Sequence, residues 1–397
     1  MYKASNKTLM DFIIIAFLVI FTIFPSKSFV LRYLFEFAIF FILISWFNWR
    51  RIITERNLII SIIFIILIII HTFTYPNFSE LEDAIRLLIF ILFLAFLSNK
   101  ISFSIIDSTL LILLLLNVIF VQYIENGDSY NLSKFIHEVD LESSHGRHSG
   151  FFTNVATLGL FSMIVLVYNI ASISYGNTKT YLRVFMVLLS TYLLFQSGSK
   201  TSMLVAIIIT GFIFLNKLKY KSSLKSIIFF IPMIILFIYF FIYVINIDYR
   251  ELNTLLFILS GNIQTASTVF TRLDIWMDII RVSCSNMSYL LFGTPKIVLD
   301  SVTTTFDNDY IWFFSRFGLT GIIVYLTILI SLFKDMYILR KKRKSHLILL
   351  WVFVSIMISG LGVGVVTTPQ VITICLIMMS PVINNKFNIY DKNFLKY

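Results

Sequence analysis

Four short segments of this chain hold the residues able to do chemistry. Arg147 stands between His145 and His148 in a polar run that continues through Ser149, Gly150, Phe151, Phe152 and Thr153 to Asn154. Lys200 sits in the turn Gln196-Ser197-Gly198-Ser199-Lys200-Thr201-Ser202, and Arg272 precedes Trp276 by one helical turn. The fourth segment, Asp307-Asn308-Asp309-Tyr310, places carboxylates just ahead of an apolar stretch. A guanidinium keeps its charge at any ordinary pH and its planar fork bonds phosphate oxygens in pairs. Lys200, with hydroxyls and helix-start N–H groups beside it, suits an anion. A partly desolvated carboxylate at Asp307 can accept the proton of an attacking hydroxyl.

Each segment also has a plainer use. His145 and His148 form a His-x-x-His pair, but two ligands with no carboxylate or cysteine close by make a weak metal site, and no metal is assigned. Arg272 can snorkel to ordinary lipid headgroups. Lys200 can face water at a capped helix start, and Asp and Asn are common caps. Spacing alone leaves both uses open at all four places.

The elements that must hold these residues are membrane helices. The 397 residues are 58% hydrophobic and 13% charged, with a mean hydropathy of +0.89, whereas about a quarter of a soluble domain is charged. A helix needs about 20 apolar residues to cross a bilayer, which predicts twelve spans. They fall near 10–24, 29–47, 57–73, 84–98, 104–124, 151–173, 180–197, 200–217, 226–248, 310–333, 347–365 and 368–385. Phe24-Pro25-Ser26-Lys27 after the first offers no small-residue cleavage site, so that span is expected to be retained. The expected fold is all-α, a single polytopic membrane domain over 1–397.

Lys and Arg set its orientation, because cytoplasmic loops hold positive charge. With twelve spans the basic loops at 50–56, 217–225 and 334–344 share one side, so both termini are expected in the cytoplasm. The formal charge of +11 is then a topology signal and not a nucleic-acid footprint. The loop at 249–309, and a second at 125–150, lie outside the cytoplasm. Within the long loop, Val269, Phe270, Leu273, Trp276, Met277 and Ile280 recur at helical spacing, with Arg272, Asp274, Asp278 and Arg281 between them. That pattern predicts an amphipathic helix lying on the outer membrane surface, with Arg272 at headgroup depth. Cys284 and Cys375 form no disulfide framework, and no Walker, G-x-G-x-x-G, C-x-x-C or H-E-x-x-H pattern occurs. Six prolines and 14 glycines leave little room for paired broken helices, the pointer to a transporter. Ser359, Gly360, Gly362 and Gly364 near the end of one span fit close helix packing better than a substrate groove.

Taken in order, these features resemble the O-antigen polymerase and O-antigen ligase superfamily. The matching run is Arg147, Ser149-Gly150-Phe151 and Asn154, then Gly198-Ser199-Lys200-Thr201, then Arg272 with Trp276, Gly293, Asp307-Asn308-x-Tyr310 and Gly318-Leu319-Thr320-Gly321. It covers about 147–332, and its specificity lies in the joint arrangement. The resemblance implies a GT-C-like membrane glycosyltransferase in the bacterial plasma membrane, metal-independent and without a cofactor. Its donor and acceptor would be undecaprenyl pyrophosphate-linked glycans, polymerised into O-antigen, capsular or exopolysaccharide at the outer face. Further expected partners are the lipid bilayer, a chain-length regulator and a flippase, with no nucleic acid. The alternatives are an O-antigen ligase or a lipid-linked oligosaccharide flippase. Ligases commonly carry histidine where Asp307 stands, which favours polymerase; Lys200 stands where relatives often have arginine, and so lacks the paired bonds. By the same resemblance, Arg147 and Arg272 hold the pyrophosphates and Asp307 takes the proton. Lys200, His145, His148, Trp276, Asn308 and Tyr310 line the substrate.

Overall fold

Polar residues at the ends of apolar stretches decide where the helices begin. Asn154 is extended (φ −153°, ψ 164°) and its side chain accepts from the Thr157 N–H, so the helix starts at Val155 and not at 151. The computed structural model describes residues 103–125, 150–152, 154–175, 180–218, 267–303, 308–340 and 344–364, with positions 19, 66, 69, 70, 73–75, 374 and 378. Among the described residues every regular element is an α-helix. The longer segments give α1 (Phe103–Glu125), α2 (Val155–Ser174), α3 (Thr180–Ser197), α4 (Lys200–Leu218) and α5 (Ser267–Cys284). They continue with α6 (Met287–Phe292), α7 (Lys296–Leu299), α8 (Asp309–Leu339) and α9 (Lys344–Ser359).

Among the described residues four stretches are long and apolar enough to cross a bilayer: Phe103–Gln122, Val155–Ser174, Lys200–Lys217 and Asp309–Ile338. The chain is a helical membrane protein. The spans expected at 104–124, 151–173, 180–197, 200–217, 310–333 and 347–365 all fall on helices, with three ends displaced by four residues or more, the start of α2 among them. α9 stops at Ser359, where the chain turns through Gly360–Val363, and α8 continues to Leu339. The spans expected at 10–24, 29–47, 57–73, 84–98, 226–248 and 368–385 lie outside the described residues, apart from single helical positions such as Val19, Ile66, Phe73, Ile374 and Met378.

α2 is the centre of the bundle. Every residue from Thr157 to Asn169 is buried, as expected of a helix apolar on all sides, and α3, α4 and α9 pack around it. α1 packs on α3, and α8 on α9. At the far end of α2 the Tyr175 hydroxyl accepts from Asn216 Nδ2 of α4 (3.2 Å) and from Trp351 Nε1 of α9 (3.1 Å). α2 and α4, meeting near their ends, therefore run in one direction, and α9, whose following turn meets Thr201 at the start of α4, in the other.

α8 is broken at Gly318, whose backbone (φ 66°, ψ −161°) lies in a region that L side chains all but never enter. The break frees carbonyls that the 290–294 segment satisfies: the Thr294 N–H donates to Ser315 O at 2.7 Å. The Thr320 hydroxyl in turn donates to Leu291 O at 2.9 Å. Gly293 (φ 98°) faces Arg316 O so closely that a Cβ would sit 2.0 Å from it. Thr294 Oγ1 donates to Ser283 Oγ of α5 (3.1 Å), and both residues are fully buried. The loop helices are thus fastened to α8 by a main-chain bond and a hydroxyl-to-carbonyl bond.

Candidate functional site

Residues far apart in the sequence meet at the end of the bundle where α2, α4 and α8 begin. α8 is capped by Asn308, whose side chain accepts from the N–H groups of Tyr310 (2.9 Å) and Ile311 (3.2 Å). Its Nδ2 donates to Leu361 O at 3.1 Å, so the cap also holds the turn that follows α9. Asp309 donates its N–H to Gly360 O (2.9 Å) and is fully buried, with a carboxylate oxygen 3.1 Å from where a Gly360 Cβ would stand. The Tyr310 hydroxyl donates to Met357 O at 3.0 Å. The small residues at 360 and 362 are what let these chains approach. A Cβ on Gly362 would touch Thr201 Cγ2 at 3.0 Å, which brings the start of α4, and Lys200 with it, to the same turn.

The turn between α3 and α4 is held from below. A Cβ on Gly159 of α2 would lie 2.3 Å from Ser199 Cβ, so α2 and this turn touch directly. The Ser199 N–H donates to Ser197 Oγ (3.3 Å), and its hydroxyl donates to Ser202 Oγ (2.9 Å). Beside them, buried Asn117 of α1 accepts from the Phe151 N–H (3.0 Å) and donates to Leu113 O (2.8 Å). That bond fixes the chain just after the His145 to Ser149 run. Phe151 packs on Phe120, and buried Phe152 packs on Phe161, with ring centroids 4.4 and 5.1 Å apart.

Of the residues singled out by sequence, Lys200, Asn308 and Tyr310 converge here. Arg147, His145, His148 and Asp307 lie outside the described residues. Arg272 and Trp276 are on α5, Arg272 exposed and Trp276 half-buried, and α5 reaches the site through α6 and α8. Of the apolar face expected on α5, Leu273, Met277 and Ile280 are exposed and Trp276 is half-buried, while Ile279, which lies off that face, is buried. Asp278 and Arg281 form an exposed ion pair (2.8 Å) of the kind that contributes about 0.2–1 kcal/mol.

Two buried arginines went unread. Arg316 lies two turns beyond Asn308 and is 1% exposed. At the opposite end of the bundle Arg183 of α3 is fully buried, with Nη2 2.6 Å from Asp107 Oδ2 of α1 and Nη1 donating to Asn169 Oδ1 of α2 at 3.0 Å. The Tyr168 hydroxyl donates to the other Asp107 oxygen at 2.8 Å, and the guanidinium carbon stands 4.8 Å from the Tyr168 ring centroid. Both arginines left one signal, a charge inside an apolar span. Among the described residues no group of three or more His, Cys, Asp and Glu could hold a metal ion.

No protein-family model matches the sequence, and no curated protein is similar to it.

Proposed function

We propose that this protein is a membrane glycosyltransferase that polymerises undecaprenyl pyrophosphate-linked repeat units at the outer face of a bacterial plasma membrane. Twelve spans and cytoplasmic termini belong to the same proposal. The observation that carries it is the convergence of Lys200, Asn308, Asp309 and Tyr310 on the turn after α9, at the end where α2, α4 and α8 all begin. The first N–H groups of α8 are taken by Asn308 and Gly360, but the partial positive charge of three helix starts remains, and with Lys200 beside them it favours a pyrophosphate.

In the proposed reaction a sugar hydroxyl of the acceptor attacks the anomeric carbon of the donor chain. The bond from that carbon to the pyrophosphate oxygen breaks, and the lipid pyrophosphate leaves. Arg147 and Arg272, with Lys200, stabilise the charge that develops on it. The hydroxyl proton passes to Asp307. Cleavage of the sugar–pyrophosphate bond drives the step, and no nucleotide is required.

A flippase would need cations lining the bundle interior. Among the described residues the buried Arg and Lys side chains are Arg183, already paired with Asp107, and Arg316, 1% exposed, which gives that reading less support. Arg147→Ala, Arg272→Ala and Asp307→Ala, each at normal membrane level, are expected to shorten surface polysaccharide to single repeat units. Long chains in all three variants would sink the proposal. Long polymer accumulating on undecaprenyl pyrophosphate in a null strain would point to ligase.

A further inference from the structure

The helices of the long loop expose apolar residues in register with the lipid-facing side of α8. On α8, Leu319, Ile323, Leu326, Ile330 and Phe333 repeat at steps of four and three and are all exposed, which in a membrane helix is the side that meets acyl chains. On α5, Leu273, Met277 and Ile280 repeat in the same way, with Met277 59% exposed. Met287 of α6 and Ile297 of α7 are 67% and 70% exposed. α6 adjoins the start of the α8 stripe, because a Cβ on Gly318 would lie within 2.7 Å of the Leu290 and Leu291 carbonyls and Leu319 follows at once.

Depth comes from α8 itself. Lys334 is exposed near its far end, and the helix from there back to the break at Gly318 rises about 24 Å of a hydrocarbon core of about 30 Å. α6 is fastened to α8 at Ser315 and Thr320, on either side of that break, and so sits near the hydrocarbon boundary. A segment joined to α8 at this depth meets acyl chains on any side that protein does not cover.

We infer that α5, α6 and α7 are sunk into the leaflet at which α8 begins, with Leu273, Met277, Ile280, Met287 and Ile297 against lipid. The sequence pattern places one helix flat on the surface by a single face. The structure assigns α5 two working faces: Ile279 and Ser283 are buried within the protein, while the Leu273 stripe meets the bilayer. Asp278 and Arg281 lie between them at the polar edge, beside the headgroups. The inference does not depend on the chemistry of the site.

The test uses the full chain with Cys284→Ser and Cys375→Ser, carrying one new cysteine at a time and reconstituted in phosphatidylcholine nanodiscs. An environment-sensitive fluorophore on Met277→Cys or Ile297→Cys is expected to lose most of its intensity to acyl-chain spin-labelled lipid and little to aqueous iodide. The same probe on Asp278→Cys should behave in the opposite way, and Ile280→Cys repeats the reading on the stripe. Iodide quenching of Met277→Cys equal to that of Asp278→Cys would overturn the inference, leaving these helices in water. Shielding of Met277→Cys from both quenchers would also overturn it, in favour of a protein partner or a second copy of the chain.

Discussion

Removing the Asp107 carboxylate alone leaves the Arg183 guanidinium buried, with Asn169 and the Tyr168 hydroxyl as remaining polar contacts. Breaking a buried pair in this way costs about 3–5 kcal/mol, whereas replacing both charges with apolar groups of similar volume is often neutral or stabilising. Asp107→Ala or Arg183→Ala is therefore expected to lower the thermal unfolding midpoint in detergent markedly, and the double variant Asp107→Leu with Arg183→Met to restore most of it. A double variant as unstable as either single one would mean that the charges do more than neutralise each other. Asp107 and Arg183 are 76 positions apart, and no spacing rule connects them. Asn308 was legible as a helix start because a cap is a local signal, read within three residues of chain, whereas the apolar count ran past the cap at Asn154 and began α2 at 151.

The junction of α6 and α8 depends on two glycines facing opposite segments. Gly318 and Gly293 both hold backbone conformations that cost a side chain about 1–3 kcal/mol, and a Cβ on either would meet main-chain atoms at 2.5 Å or less. Gly318→Ala and Gly293→Ala should each lower thermal stability in detergent, while Leu319→Ala, an exposed neighbour, should leave it nearly unchanged. Equal effects at the three positions would show that the junction does not require close approach. Apolar length was enough to find α1, α2, α4 and α8. It could not find the break in α8, since Gly-x-x-Gly is common wherever helices pack. Nor could it find α6 and α7, which are too short for a periodicity to register. The convergence of Lys200 with Asn308 was likewise illegible, because it runs through the turn after α9, whose small residues read only as packing.

At the scale of the whole molecule, orientation rests on charge alone, and reporters can check it. A fluorescent protein inserted at 217–225 or fused after 397 should fluoresce, and alkaline phosphatase inserted at 125–150 or 249–309 should be active. The reverse pattern would put the site at the cytoplasmic face and exclude an outer-face polymerase. Composition made the membrane class legible from the start, since 58% hydrophobic residues leave no other economical fold. What composition cannot reveal is the order in which the parts become stable. α1 leaves the ribosome carrying Asp107, and its counter-charge on α3 follows 76 residues later. At about 5–20 residues per second, several seconds pass in which α1 has an acidic group and no partner. During that interval α1 must wait beside the insertion machinery, or keep Asp107 near a headgroup, until α3 arrives. A nascent chain that ends before Arg183 therefore carries the Asp107 carboxylate without the guanidinium that neutralises it in the finished fold.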